Sequence, residues 1–312
     1  MPKPEEKILL ESDKLARYQA LVKKNSDTSS VLIDLYANLG LEAEFIEKKG
    51  PLYLNMKTLW PEAYQPKTVC EAYHKILGQN GIIVRIPSDY NQNTPIPITA
   101  DTSTPAPFLQ TIVHVKSGAS ISMIEACTGA KNPDSGIRAP GLTILLEKNA
   151  AATLYTYQDS ITVKENIGLR RFFLRENAKL AVKEVLIGSI QNPPQTSYSC
   201  SAESSLNIDT ISIKAKNKNQ KNTCAIKGNP KTRISITEIG PNGNNLEWHG
   251  PKINERIHIN PHALSKEEVE FCHKMGLTPE TSRQLKIENA LEQHISDIPM
   301  EYKVEIIAAA IL

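Results

Sequence analysis

Three stretches of the chain decide the fold: VKSGASIS at Val115–Ser122, LEKNAAATL at Leu146–Leu154 and LRENAKLAV at Leu174–Val182. Each runs from an apolar strand end through charged or small polar residues to a Gly or Asn, then to Ala and a new strand. Gly and Asn tolerate the positive φ of a tight corner, and alanine fits where a turn meets a packed layer. The corners fall at Gly118, Asn149 and Asn177, 31 and 28 residues apart. A similar stretch, IKGNPKTRISI, puts a corner at Asn229, 52 residues further on, about twice a slightly shorter interval of 26. Around them lie GIIVRIP, LQTIVHV, LTILLEK, ATLYTYQ, RRFFLRE, LAVKEVLI, TISIKA and RISITEI, each β-branched or alternating and bounded by Gly, Asn or Pro. Short strands recurring without helical crossovers predict a mainly β chain with a solenoid core, in which each rung stacks on its neighbour. An antiparallel sandwich is the alternative.

The two ends differ from this middle. Residues 1–80 read as a helical region, with helices over Glu5–Lys24, Ser29–Leu39 and Val69–Leu77 and an irregular GPLYLNMKTLWPEAYQP between them. Residues 263–312 read as a helical domain. Ser265 caps a first helix that runs through Met275, and Gly276 stops it. Thr278 caps a second with Pro279 in its first turn, and Asp297 and Pro299 open a third that reaches Leu312. The solenoid core is expected over residues 81–262.

Composition narrows the function. The chain has 312 residues and a net charge of +2, so no global electrostatic case exists for nucleic acid or a membrane surface. The lysine-rich KAKNKNQKN at Lys214–Asn222 has no interleaved aromatics and reads as a solvated loop. No apolar run reaches the roughly 18 residues of a membrane span. The N-terminus is charged and has no apolar signal core, which predicts a cytoplasmic protein. Five cysteines, Cys70, Cys127, Cys200, Cys224 and Cys272, are scattered without CxxC spacing, and in a reducing compartment they are free thiols. No GxxxxGK[ST], GxSxG or HExxH occurs, so the chain is expected to bind no nucleotide and not to be an enzyme.

Two motifs carry a family resemblance. The segment SMIEACTGAKNPDSGIRAPGLTILLEKNAAATLYTYQD holds Glu125-Ala126-Cys127-Thr128-Gly129-Ala130, which is similar to an EGCTAP turn. The tail holds Met275-Gly276-Leu277 and then Ile298-Pro299-Met300-Glu301-Tyr302-Lys303-Val304-Glu305. In order and spacing, from about Gly81 to the C-terminus, these resemble the SufB/SufD scaffold proteins of the SUF iron–sulfur cluster assembly system, with the tail closer to SufB.

The resemblance implies a right-handed parallel β-helix flanked by helical parts and a SufC-type ABC ATPase docked on the C-terminal helices. Phe271, Leu277, Leu285 and Leu291 are then the candidate partner contacts. It implies a homodimer, or a heterodimer with a SufB/SufD paralogue, and a transient iron–sulfur cluster. Cys127 takes the place of the sulfur-accepting cysteine, though a small apolar residue at a strand end is the plain reading. Cys224 and His258 stand as candidate cluster ligands, with His262 and His249 as weaker ones. A buried strand cysteine and a solvated histidine are the corresponding plain readings. The HEA or HGA sequence that surrounds the family's histidine is absent. A SufD-like or degenerate member serving structurally is therefore the second reading. A solenoid carbohydrate enzyme is the third, and it lacks recurring paired carboxylates and sugar-stacking aromatics.

Overall fold

The computed structural model describes residues 11–24, 29–47, 49–78, 80–98, 108–127, 137–159, 165–187, 194–213, 220–240, 246–259 and 265–311. Its centre is a β-solenoid of about four turns made of two sheets. The first sheet runs in the order β1 (Glu42–Glu47), β2 (Asn80–Ile86), β4 (Gln110–Val115), β7 (Gly141–Leu146), β10 (Leu169–Leu174), β12 (Gln195–Cys200), β14 (Gln220–Lys227) and β16 (Leu246–His249). The second runs β3 (Asn91–Pro97), β5 (Ser120–Cys127), β8 (Ala151–Asp159), β11 (Lys179–Ile187), β13 (Ser205–Ile213), β15 (Lys231–Ile239) and β17 (Glu255–Ile259). A small pair joins β6 (Ile137–Arg138) to β9 (Glu165–Asn166). Neighbouring solenoid strands pair in parallel, while β1 caps the first sheet antiparallel to β2. The solenoid rather than the sandwich is therefore the architecture.

The corners explain the recurrence. Gly118, Asn149 and Asn177 have φ of +80°, +61° and +55°. The next two corners are Glu203 at +62° and Gly228 at +101°. The interval of 52 that the sequence offered is thus two turns, and its end falls on Gly228 rather than Asn229. The middle corner has no mark in the sequence, because glutamate carries no signal for a left-handed conformation. The stacked rungs impose it there, at a cost of about 1–2 kcal/mol for an ordinary L-residue.

Along each strand alternate side chains point inward, as a pleat requires. Ile82, Val113, Ile144 and Phe172 of the first sheet meet Leu154, Val182, Ile208 and Ile234 of the second in one interior cluster. The outer face of the second sheet, with Tyr155, Val185, Ile211 and Ile239, is covered by the C-terminal helices α6 (Pro279–Ile295) and α7 (Met300–Ile311). Burial of Ile287, Leu291, Ile295 and Ile306 there stabilises the docking by roughly 1.5–3 kcal/mol per side chain. The preceding helix α5 (Lys266–Lys274) begins at a reciprocal capping box between Ser265 and Glu268, and Gly276 follows it at φ +66°.

The N-terminal part comprises α1 (Ser12–Lys24), α2 (Ser29–Asn38), α3 (Pro51–Leu59) and α4 (Val69–Leu77). Two of its elements differ from expectation. The segment read as irregular contains α3, which starts at Pro51 where the missing N–H needs no acceptor. The strand β1 carries three glutamates, Glu42, Glu44 and Glu47, and becomes a strand by pairing with β2. Met56, Trp60 and Ala63 cover Ile83, Ile112, Leu145 and Phe173 on the outer face of the first sheet.

Helix α4 brings in a buried titratable group. His74 is 3% exposed, its Nε2 lies 2.7 Å from the Ile167 carbonyl, and its Nδ1 lies 2.8 Å from Gln110 Nε2. Nε2 therefore donates and Nδ1 accepts, which fixes the neutral ring. Burial pushes the imidazole down from 6.5 to about 4. Above pH 6.5 neither state carries the proton; between 6.5 and 4 only the unfolded chain takes it up, so stability falls as pH falls through that window. His74 is expected to account for a loss of about 3 kcal/mol between pH 7 and pH 4. Urea denaturation across that range should show a shallower pH dependence in His74→Gln than in the wild type.

Candidate functional site

The interior of the solenoid is not wholly apolar. On β10 the sequence LRRFFL alternates, so Arg170 points inward and is 3% exposed. It faces one register row of the second sheet, formed by Glu125, Thr156, Glu184 and Thr210. Arg170 Nη2 meets Glu125 Oε2 and the Thr156 hydroxyl, and Nη1 lies 2.8 Å from Glu184 Oε1. Glu184 Oε2 also accepts from Asn222 Nδ2 at 2.8 Å and from the Thr210 hydroxyl at 3.4 Å. Two carboxylates thus share one guanidinium inside the fold. In the sequence the alternation in LRRFFL was the only available signal, and the glutamates stood among strand residues with nothing to mark them.

Two residues further along the same strands lies a second register row: Cys127, Gln158, Leu186, Ser212, Glu238 and His258. Gln158, Leu186, Ser212 and Glu238 are buried, and neither polar atom of the Gln158 amide has a hydrogen-bond partner. Cys127 ends β5, and His258 lies on β17, the last strand of that sheet, with an exposed side chain. Five strand spacings separate them, roughly 24 Å. The structure places these two candidates on one line and at opposite ends of it.

Cys224 lies on β14 in the other sheet, beside Thr196. It is 5% exposed and borders a cavity of about 10 Å³ with Arg170, Glu184, Tyr198 and Asn222, room for about one water. Burial, with Glu184 and Cys200 adding to it, pushes the thiol up to about 12, and burial likewise raises Cys200 to about 11. Cys224 is therefore protonated at neutral pH and sits in a space that does not admit a cluster. As a ligand it requires the last rungs to open and the thiol to ionise. His249 ends β16, next to Thr223 of β14, so Cys224, His249 and His258 belong to the last strands of the solenoid. Among the described residues no three His, Cys, Asp or Glu side chains converge to hold a metal ion. His262 lies outside the described residues.

The C-terminal partner residues divide. Phe271 and Leu285 are 59% and 46% exposed, and Leu277 is half-buried. Leu291 is fully buried against the second sheet, so it belongs to the core of this chain and not to a docking surface. Val269 on α5, Met275 just after it, and Met300 and Val304 on α7, which the sequence did not single out, are exposed as well. Among the described residues no helix is long and apolar enough to cross a membrane.

The fold is that of a β-solenoid protein with parallel strands, an ionic cluster in its interior and helices at both ends. Residues 98–238 match the family model described as SUF system FeS cluster assembly, SufBD core domain. The chain thus carries a SufBD core domain, which supports membership of the SufB/SufD family and a role in SUF iron–sulfur cluster assembly. No curated protein matches the chain.

Proposed function

We propose that this chain is a scaffold component of the SUF-type assembly complex, binding a SufC-type ABC ATPase and supporting a nascent iron–sulfur cluster as cargo. The reading rests on one observation: the register row that begins at Cys127 ends at His258, among the exposed last strands that also carry His249. Cys127 is the entry for sulfur in this reading, and the last strands, with Cys224 and His258, are where iron is held. Thiolate and imidazole are ligand types suited to iron.

Anaerobic reconstitution with ferrous iron and inorganic sulfide tests it. The wild type should develop a charge-transfer band, and Cys224→Ala and His258→Ala should each weaken it. Cys127→Ser should keep the band when sulfide is inorganic and lose it when a cysteine desulfurase supplies the sulfur. The second reading, a SufD-like structural member, draws support from the protonated, enclosed thiol of Cys224. It predicts no stable band with ATPase binding intact.

The exposed apolar side chains of α5 carry the partner half of the proposal. Phe271→Glu places a charge where the ATPase would desolvate an aromatic ring, and anchors of that kind are worth about 2 kcal/mol or more. Titration calorimetry with the purified ATPase should show affinity reduced at least about tenfold, with an unchanged melting temperature. Undiminished binding would remove α5 from the interface.

A further inference from the structure

Arg171, next to Arg170, points the other way, out of the solenoid and under the N-terminal helices. Its Nη1 donates to the Ala63 carbonyl and its Nη2 to the Thr143 hydroxyl at 3.1 Å, while Nε has no partner. Both partners are neutral. Among the described residues its ion pairing is thus unlike that of Arg170, which contacts two carboxylates. Burial lowers its proton affinity below the ordinary arginine value, the buried Glu71 carboxylate offsets part of that through space, and no carboxylate makes a salt bridge to it among the described residues. Holding the Pro61–Ala63 turn in place would require neither a charge nor a space beside it.

There is a space beside it. A cavity of about 50 Å³ lies between α4, the Pro61–Ala63 turn and β10, walled by Tyr53 and Tyr64, whose rings meet edge to face at 4.8 Å. At about 10–15 Å³ for each water-sized position, it holds roughly three to five waters. That suits a phosphate or a short carboxylate and excludes a nucleotide. Glu71, a carboxylate in its wall, accepts from the backbone N–H groups of Lys67 at 2.5 Å and Thr68 at 3.1 Å in the cap of α4 and balances Arg171 only through space, so Lys75 leaves the rim with one positive charge in excess. His74 is neutral and satisfied through both ring nitrogens, and Lys75 stands exposed at the rim. The floor is rigid, because the Gln110 side chain fills the room left by glycines. A Cβ at Gly141 would fall 2.2 Å from its amide nitrogen, and one at Gly78 2.9 Å from it.

We infer that this cavity binds a small oxyanion, a phosphate or a carboxylate of two to four carbons, seated on the Arg171 guanidinium and walled by Tyr53 and Tyr64. The inference stands apart from the cluster-assembly reading, since the cavity lies on the outer face of the first sheet and shares no residue with the interior rows.

Titration calorimetry on the full chain tests it, with sodium phosphate and sodium pyruvate as separate probes and sodium chloride holding ionic strength constant. One probe should bind saturably at one site per chain, and which one does so tells phosphate from carboxylate. Arg171→Lys should weaken that binding at least about tenfold, because a point charge replaces the planar fork. Lys75→Glu, at an exposed rim position and with its fold checked by an unchanged melting temperature, should weaken it about threefold or more by reversing a charge at the rim. Saturable binding by neither probe would overturn the inference. So would an affinity unchanged in Lys75→Glu, whether or not the Arg171 variant folds.

Discussion

Replacing Arg170 with methionine is expected to cost about 3–5 kcal/mol of folding stability, a third or more of what a typical domain has. The reason is what the substitution leaves behind. Glu125 and Glu184 are 1% and 6% exposed, and both are paired to the same guanidinium. Glu184 keeps the amide of Asn222 and the hydroxyl of Thr210, so Glu125 loses more. Methionine has about the right volume and no charge, which makes the loss electrostatic rather than a cavity effect. The triple variant Glu125→Leu, Arg170→Met, Glu184→Leu should recover much of the loss, because it removes the stranded charges together with their partner. Urea denaturation of the three proteins at pH 7 measures this. A single variant within about 1 kcal/mol of wild type would show that the interior carboxylates are not held by Arg170.

The second large effect is expected at Gly228. Its φ is +101°, and an added Cβ would lie 2.0 Å from the carbonyl oxygen of Cys200 on the preceding rung. No side-chain rotation relieves a clash with backbone, so β12 and β14 must separate where Ser199 pairs with Lys227. Backbone strain of about 1–3 kcal/mol and overpacking of about 1–3 kcal/mol together put Gly228→Ala about 2–6 kcal/mol below wild type. Gly118→Ala is the control. Its φ is +80°, but the nearest atom to its added Cβ, the Ser88 carbonyl oxygen, is 4.0 Å away. Strain alone then applies, about 1–2 kcal/mol. Equal losses of melting temperature in the two variants would rule out the steric part of the account. Because Cys224 lies on the displaced strand, Gly228→Ala should also make its thiol more reactive toward a maleimide probe.

Much of the architecture was written in local chemistry. Gly118, Asn149 and Asn177 marked corners because a left-handed residue without a glycine or asparagine is costly. Ser265, Thr278 and Gly276 marked the ends of the tail helices through caps that involve only neighbouring residues. The corner at Glu203 and the helix α3 were not legible in this way. The first is imposed by stacking on the rungs above and below, and the second by burial of Met56 and Trp60 on the first sheet. Of the proposed site, Cys127 and His258 were suggested by resemblance alone, and their shared register row emerged only from the strand pairing. Leu291 was misassigned because an apolar residue on a helix looks the same whether it meets its own sheet or a partner.

Arg170 and Arg171 show where the boundary lies. Sequence alone determined that the two adjacent arginines sit in a strand and project to opposite faces, since a pleat alternates. It gave no sign that one would hold two carboxylates inside the solenoid while the other faced a cavity beneath the N-terminal helices. That assignment depends on register with strands tens of residues away and on which surfaces the helical ends cover. Those are decided by the burial of whole faces, and only the tertiary structure settles them.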